Sequence, residues 1–206
     1  AFNDEKIHYV LNSWVGSDGT IYEGYLAAAR IAGMIAASAA NESLTHTVIS
    51  GATTLNEALT NAQIKKALKS GCIVLSLSKS RQVWIEKAIN TLVTLAANQD
   101  AGWKKIRRVK TRYELMNRIE ATVEPMIGTV DNDADGRAAI IAAAQRVVDA
   151  MAGEKKLIPG GTVTEDANNP ATGDSAWFIV AVDDLDSIET IYLTFRFRFA
   201  ADTETE

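Results

Sequence analysis

Between residues 191 and 199 the chain alternates almost perfectly between two kinds of side chain. Ile191, Leu193, Phe195, Phe197 and Phe199 fall on one face of an extended strand, and Tyr192, Thr194, Arg196 and Arg198 on the other. The division follows from the period of two in a strand, where successive side chains point to opposite sides. Nine such residues span roughly 30 Å at about 3.3 Å each, which is long for a strand. A long apolar strand at a chain end can finish its own sheet or complete a neighbour's. The pattern predicts that the inner part, near residues 191–195, closes the subunit's own sheet. The outer part, from Arg196 onward, is then the portion that leaves for a neighbour.

Farther back, apolar positions recur at steps of three and four. Trp103, Ile106, Val109, Tyr113, Met116, Ile119 and Val123 predict one long helix over residues 101–127, with Pro125 able to kink only its end. Thr20 and Glu23 have the capping-box spacing and predict a helix running to about residue 40, rich in small residues that allow close packing. Thr60 is placed to cap a helix over residues 61–70 that stops at Gly71. An alanine-rich helix is predicted over residues 137–152, followed by a loop over residues 153–173 with a short strand at 162–164. Strands are predicted at residues 6–11 and 48–52, and as a hairpin of 72–77 with 82–87 around Lys79-Ser80-Arg81. A further extended stretch is predicted at 91–97, and a buried strand at 177–182. Helices and strands mix without regular βαβ alternation. The fold class is therefore α+β, a mixed sheet packed with several helices and ending in a C-terminal strand.

With 206 residues, 47% hydrophobic and 23% charged, the chain can bury a real core. A net charge of −5 argues against a nucleic-acid or membrane-surface partner. The one cysteine, Cys72, lies in an apolar run, excludes an internal disulfide framework and reads as packing. Opening at Ala1 without an initiator Met, just before a strand, the chain reads as a piece of a longer protein cut near a domain boundary.

Residues with chemical potential are few. Asp131, Asp133 and Asp135 with Gly136 repeat the first half of a calcium loop, but position twelve is Ala142 instead of a glutamate. A helix start explains the same residues. Lys104, Lys105, Arg107, Arg108, Lys110 and Arg112 place six cations in nine residues. They read as a solvated helix face, or as a charge contact with an acidic protein surface; nucleic-acid binding would want a basic excess over the whole domain. His8 and His46 have no local metal-ligand companion. No nucleophile elbow, phosphate loop or dinucleotide fingerprint occurs. Catalytic, cofactor and metal residues are therefore nominated nowhere, and the chain does not read as an enzyme.

Several segments, taken in order, resemble the contractile tail sheath proteins of bacteriophages and prophage tail-like particles. They are the strand near residues 7–11, Ala39-Ala40-Asn41-Glu42-Ser43-Leu44-Thr45, Ile49-Ser50-Gly51-Ala52-Thr53 and Leu59-Thr60-Asn61-Ala62-Gln63-Ile64. Next come Ala67-Leu68-Lys69-Ser70-Gly71 and Glu86-Lys87-Ala88-Ile89-Asn90-Thr91-Leu92. Ile127-Gly128-Thr129-Val130-Asp131-Asn132 and Val182-Asp183-Asp184-Leu185-Asp186-Ser187-Ile188-Glu189-Thr190-Ile191-Tyr192 complete the series. The resemblance implies the C-terminal portion of a sheath subunit, with residues 1–98 from its main domain and residues 99–206 as an inner, tube-proximal domain. It implies a structural role in rings and a helical sheath of identical subunits around a tail tube, joined by exchanged terminal strands, with contraction driving the tube through an envelope. Implied partners are the subunit itself, the tube protein, and baseplate and terminator proteins, with no nucleic acid and no membrane. The implied location is the virion tail or a prophage tail-like particle, assembled in the host cytoplasm. On this reading Phe195, Arg196, Phe197, Arg198 and Phe199 are the assembly interface. Lys104, Lys105, Arg107 and Arg108 face the tube or a neighbour. The competing class is a non-enzymatic cytoplasmic module that captures a partner at a sheet edge.

Overall fold

A computed structural model describes residues 2–197. Short strands dominate the first half: β1 (Tyr9–Val10), β2 (Trp14–Gly16) and β3 (Ile21–Tyr22), then helix α1 (Gly24–Ala37) and β4 (Ala52–Leu55). Helix α2 (Asn61–Lys69) follows, with β5 (Cys72–Ile73), β6 (Leu75–Leu77) and β7 (Val83–Ile85). The second half holds α3 (Ile106–Val123), flanked by 3-10 turns, then α4 (Ala134–Gly153), β8 (Thr162–Glu165) and β9 (Phe178–Ala181). The strands make small separate sheets: β1 parallel to β5, the antiparallel trio β3-β2-β4, and the hairpins β6-β7 and β8-β9. The α+β class predicted from the sequence holds.

Two cores lie on either side of α3. The first joins Trp14, Ile31, Ile49, Ile73, Leu75, Val83, Ile85 and Ile106, and the second joins Leu115, Val148, Met151, Leu157 and Val163. Burying such side chains stabilises by about 1.5–3 kcal/mol each. Because α3 supplies Ile106 to one core and Leu115 to the other, it is the spine of the molecule.

Local signals placed several elements correctly. Thr60 accepts from the Gln63 amide and Gln63 reaches back to the Thr60 amide, a complete capping box for α2. Gly71 terminates it at φ +75°, where a Cβ would also lie 2.9 Å from the Thr91 Cα. The predicted hairpin forms as β6-β7, although Cys72 and Ile73 diverge from it to pair with β1. Asp133 accepts from the Gly136 amide at 2.7 Å and caps α4, which starts three residues earlier than the predicted 137.

Four expectations are overturned. Thr20 and Glu23 do not cap α1. Ile21 and Tyr22 pair with β2, Tyr22 stacks on Trp14 at 5.2 Å, and Thr20 bonds Asp18 instead. A cap is worth about 1 kcal/mol, which the strand pairing and ring burial exceed. Residues 91–97 form no strand. The run at 177–182 is not buried: among the described residues β9 has only β8 as a ladder partner, and Ile179 and Val180 are exposed. Finally, residues 188–197 enter no ladder with any of the described residues, so residues 191–195 do not close the sheet that the sequence predicted there. No helix among the described residues is long and apolar enough to cross a membrane.

Candidate assembly site

The first turns of α3 carry most of the cations, and they are not a solvated face. The Arg107 side chain is 6% exposed and its Nε donates to the Asn41 carbonyl at 2.6 Å. Its Nη1 lies 3.6 Å from Asp186, within ion-pair reach but without a hydrogen bond. Arg108 grips Asp184 with two hydrogen bonds of 2.6 Å, from Nε and Nη2. Arg112 reaches Asp184 at 3.1 Å and Asp100 at 2.8 Å, with its guanidinium 4.6 Å over the Trp103 ring. Lys105 pairs with Asp186 at 2.6 Å and Glu189 at 3.3 Å. Lys104 donates to the Val93 carbonyl at 2.8 Å, and Lys110 to the Ser38 carbonyl at 2.7 Å. All four cations nominated to face the tube or a neighbour are thus engaged within the chain.

Electrostatics at this face favour ionised carboxylates. Burial pushes the Asp184 carboxyl up, but the hydrogen bonds and charge of Arg108 and Arg112 outweigh it and hold the group below its ordinary value. At Asp186 burial again pushes up, and Lys105 prevails. Asp100 follows the same pattern through Arg112 and Arg108. Arg108 in turn is raised, mainly by its hydrogen bonds to Asp184.

Residues 183–189 form the strap that meets those cations. The Ile158 amide donates to the Asp183 carbonyl at 2.8 Å, and the Leu185 amide to the Lys156 carbonyl at 3.0 Å. These bonds fasten one end of the strap to the second core. At the other end Glu189, its side chain 9% exposed, accepts from Ser43 Oγ at 2.9 Å and Thr45 Oγ1 at 3.2 Å. The same Thr45 Oγ1 accepts from the Ala88 amide at 3.1 Å, which ties the strap to the first half of the chain. Both runs, basic and acidic, were visible in the sequence; their pairing was not, because about 80 residues separate them.

Beyond Glu189 the picture reverses. Ile191 is 73% exposed, Tyr192 92% and Phe197 87%, with Leu193 and Phe195 similarly bare. Phe195 and Phe197 stack with ring centroids 6.5 Å apart, as expected of positions i and i+2 on one face of extended chain. Of the nominated interface residues, Phe195, Arg196 and Phe197 belong to this segment, while Arg198 and Phe199 lie outside the described residues. Nearby, a groove of about 590 Å³ runs between α3 and β9, walled by Trp103, Met116, Ile119, Val180 and Val182, with Glu120 and Asp183 among its lining. β9 borders that groove.

Groups with other chemistry have ordinary roles here. His46 stacks on Trp84 at 4.1 Å, burial lowers the His8 pKa, and burial raises that of the half-buried Cys72 thiol. Among the described residues no group of three His, Cys, Asp or Glu side chains is arranged to hold a metal ion.

Comparison with known proteins places this geometry. Residues 1–91 match the family model described as the phage tail sheath protein central domain. No curated protein matches the chain. Among solved structures it is similar to a sheath tail protein from Desulfitobacterium hafniense, with a TM-score of 0.79 and 26% identity over 96% of this chain and 46% of that one. A sheath tail protein from Listeria innocua is similar with a TM-score of 0.69 and 20% identity over 89% of this chain and 47% of that one. The contracted helical sheath of the anti-feeding prophage is similar with a TM-score of 0.67 and 14% identity, over 92% of this chain and 54% of that one. The chain therefore spans about half the length of these structures.

Proposed function

We propose that this chain, whose residues 1–91 match the phage tail sheath protein central domain, is the assembly-competent part of a contractile sheath subunit. Its work is structural: identical subunits polymerise around a tail tube and contract to drive the tube through a target envelope. The observation that carries this reading is the exposed, alternating segment after Glu189, an apolar face that pairs with no sheet among the described residues.

Such a face is costly in water and rewarding in a neighbour. Each added ladder hydrogen bond contributes about 0.5–1.5 kcal/mol net, and each buried Phe, Leu or Ile about 1.5–3 kcal/mol. The exposed edge of β9 and the groove beside it offer a fitting acceptor. Its apolar walls suit Phe195 and Phe197, and Glu120 and Asp183 on its lining suit Arg196. Lys104, Lys105, Arg107 and Arg108 serve assembly indirectly, by holding this subunit's own framework.

On this reading residues 1–98 belong to the main sheath domain and residues 99–206 form the inner, tube-proximal domain. The partners are further copies of the subunit, the tube protein, and baseplate and terminator proteins. The particle is a virion tail or a prophage tail-like device, assembled in the bacterial cytoplasm. Electron microscopy of the full-length protein tests the proposal, with and without residues 190–206. Long tubes or rings from the intact protein, and a folded but unassembled subunit after truncation, support it. Tubes from the truncated protein, or isolated particles from the intact one, overturn it.

A further inference from the structure

We infer that residues 183–189 are an anchor for the terminal segment, with Glu189 as its last fixed residue and Thr190 as the point where the segment becomes free to turn. The inference rests on the reading of that segment as an assembly arm only for its purpose; the anchor itself is a property of the single subunit.

Three observations carry it. First, the carboxylates at 184, 186 and 189 are each held by cations from Lys105 to Arg112, about two turns at the start of α3, so the strap is pinned repeatedly along its length and not at one end. Second, the pins reach different bodies. Asp183 and Leu185 bond the backbone at Lys156 and Ile158, while Glu189 bonds Ser43 and Thr45. A pull on the segment is therefore shared by both cores and by the α3 spine between them. Third, held side chains end at Glu189. Up to that point bare positions such as Ile188, 84% exposed, alternate with held ones, whereas beyond it Ile191, Tyr192 and Leu193 are bare on both faces of the extended chain.

The chemistry suits an anchor more than a permanent weld. Asp184 is gripped in a bidentate fork by a guanidinium, a directional contact that fixes the strap's orientation. Lys105 holds two carboxylates at once as a point charge. Glu189 is positioned by hydroxyl donors as well as charge, so its seat survives partial loss of either. The sequence reading placed the departure of the segment at Arg196; the strap moves it back six residues, which lengthens the free arm by about 20 Å at 3.3 Å per extended residue.

Spin-label distance measurements on the unassembled full-length protein test the anchor. In a Cys72→Ser background, one label is placed at Thr54→Cys on exposed β4, and the second at Ile188→Cys within the strap or at Leu193→Cys beyond it. The expected result is a narrow distance distribution for position 188 and one at least about twofold broader for position 193, as separate local stabilities require. Glu189→Ala should broaden position 188, whereas Glu189→Gln, which keeps the oxygen that Ser43 and Thr45 bond, should broaden it less. Equal breadth at 188 and 193 in the parent protein overturns the anchor, as does a narrow position 188 in Glu189→Ala. If Glu189→Ala loosens the strap while tubes still form normally, the anchor stands and the arm-exchange reading fails.

Discussion

Two neighbouring stretches of this chain differ in what the subunit holds of them. In residues 183–189 the carboxylates of Asp184 and Glu189 are almost enclosed, paired with α3 cations and hydroxyls. In residues 190–197 the isoleucine, leucine and phenylalanines are the bare side chains. Charged groups normally face water and apolar groups the core, so each stretch reports on what surrounds it. The strap has already found its partners inside the subunit. The segment beyond it has the composition of a core element and none of the cover, as expected of a strand completed elsewhere.

The strap half of that comparison breaks most severely at Arg108. Arg108→Ala leaves Asp184 enclosed with only Arg112 as a close cation, and should cost about 2–3 kcal/mol, somewhat less than removing one partner of a fully buried pair. Chemical denaturation of the unassembled protein measures it. Acid acts on the whole strap. Asp184, Asp186 and Asp100 are depressed below their ordinary value of 3.8, so their pairing with Arg108, Arg112, Lys105 and Arg107 is fully present above it. That stability is lost as pH falls further through the folded values. Position 188 should accordingly loosen below about pH 4 and stay unchanged between pH 6 and 8.

Glu189→Ala should cost less, about 1–2 kcal/mol, because two hydroxyls and a partly exposed Lys105 lose one acceptor. At the free end Phe197→Ala should shift subunit stability by no more than about 0.5 kcal/mol, since the ring is exposed. On the proposed reading its effect falls on assembly instead. A large stability loss there would mean that the ring packs on its own subunit.

What was legible in the sequence divides along the same line between local and distant contacts. The α2 cap at Thr60, its stop at Gly71 and the β6-β7 hairpin depend on residues close in the chain, and they formed as read. Thr20 and Glu23 carried an equally good local signal, which lost to the pairing of Tyr22 with Trp14. The cations of α3 looked like a wet face because their partners lie some 80 residues away at Asp184, Asp186 and Glu189. Alternation in residues 191–197 predicted two strand faces, but a period of two says nothing about which molecule supplies the sheet. The family resemblance suggests a neighbouring subunit, through segments rather than through any single residue.

The central claim is that one face of the terminal segment is buried by a neighbour. Electron microscopy of the full-length protein carrying Phe195→Ser with Phe197→Ser, against Tyr192→Ser with Thr194→Ala on the opposite face, tests it most directly. Loss of tubes in the first variant and retention in the second is the predicted result. Tubes in both, or in neither, would contradict a donated strand whose two faces have different fates.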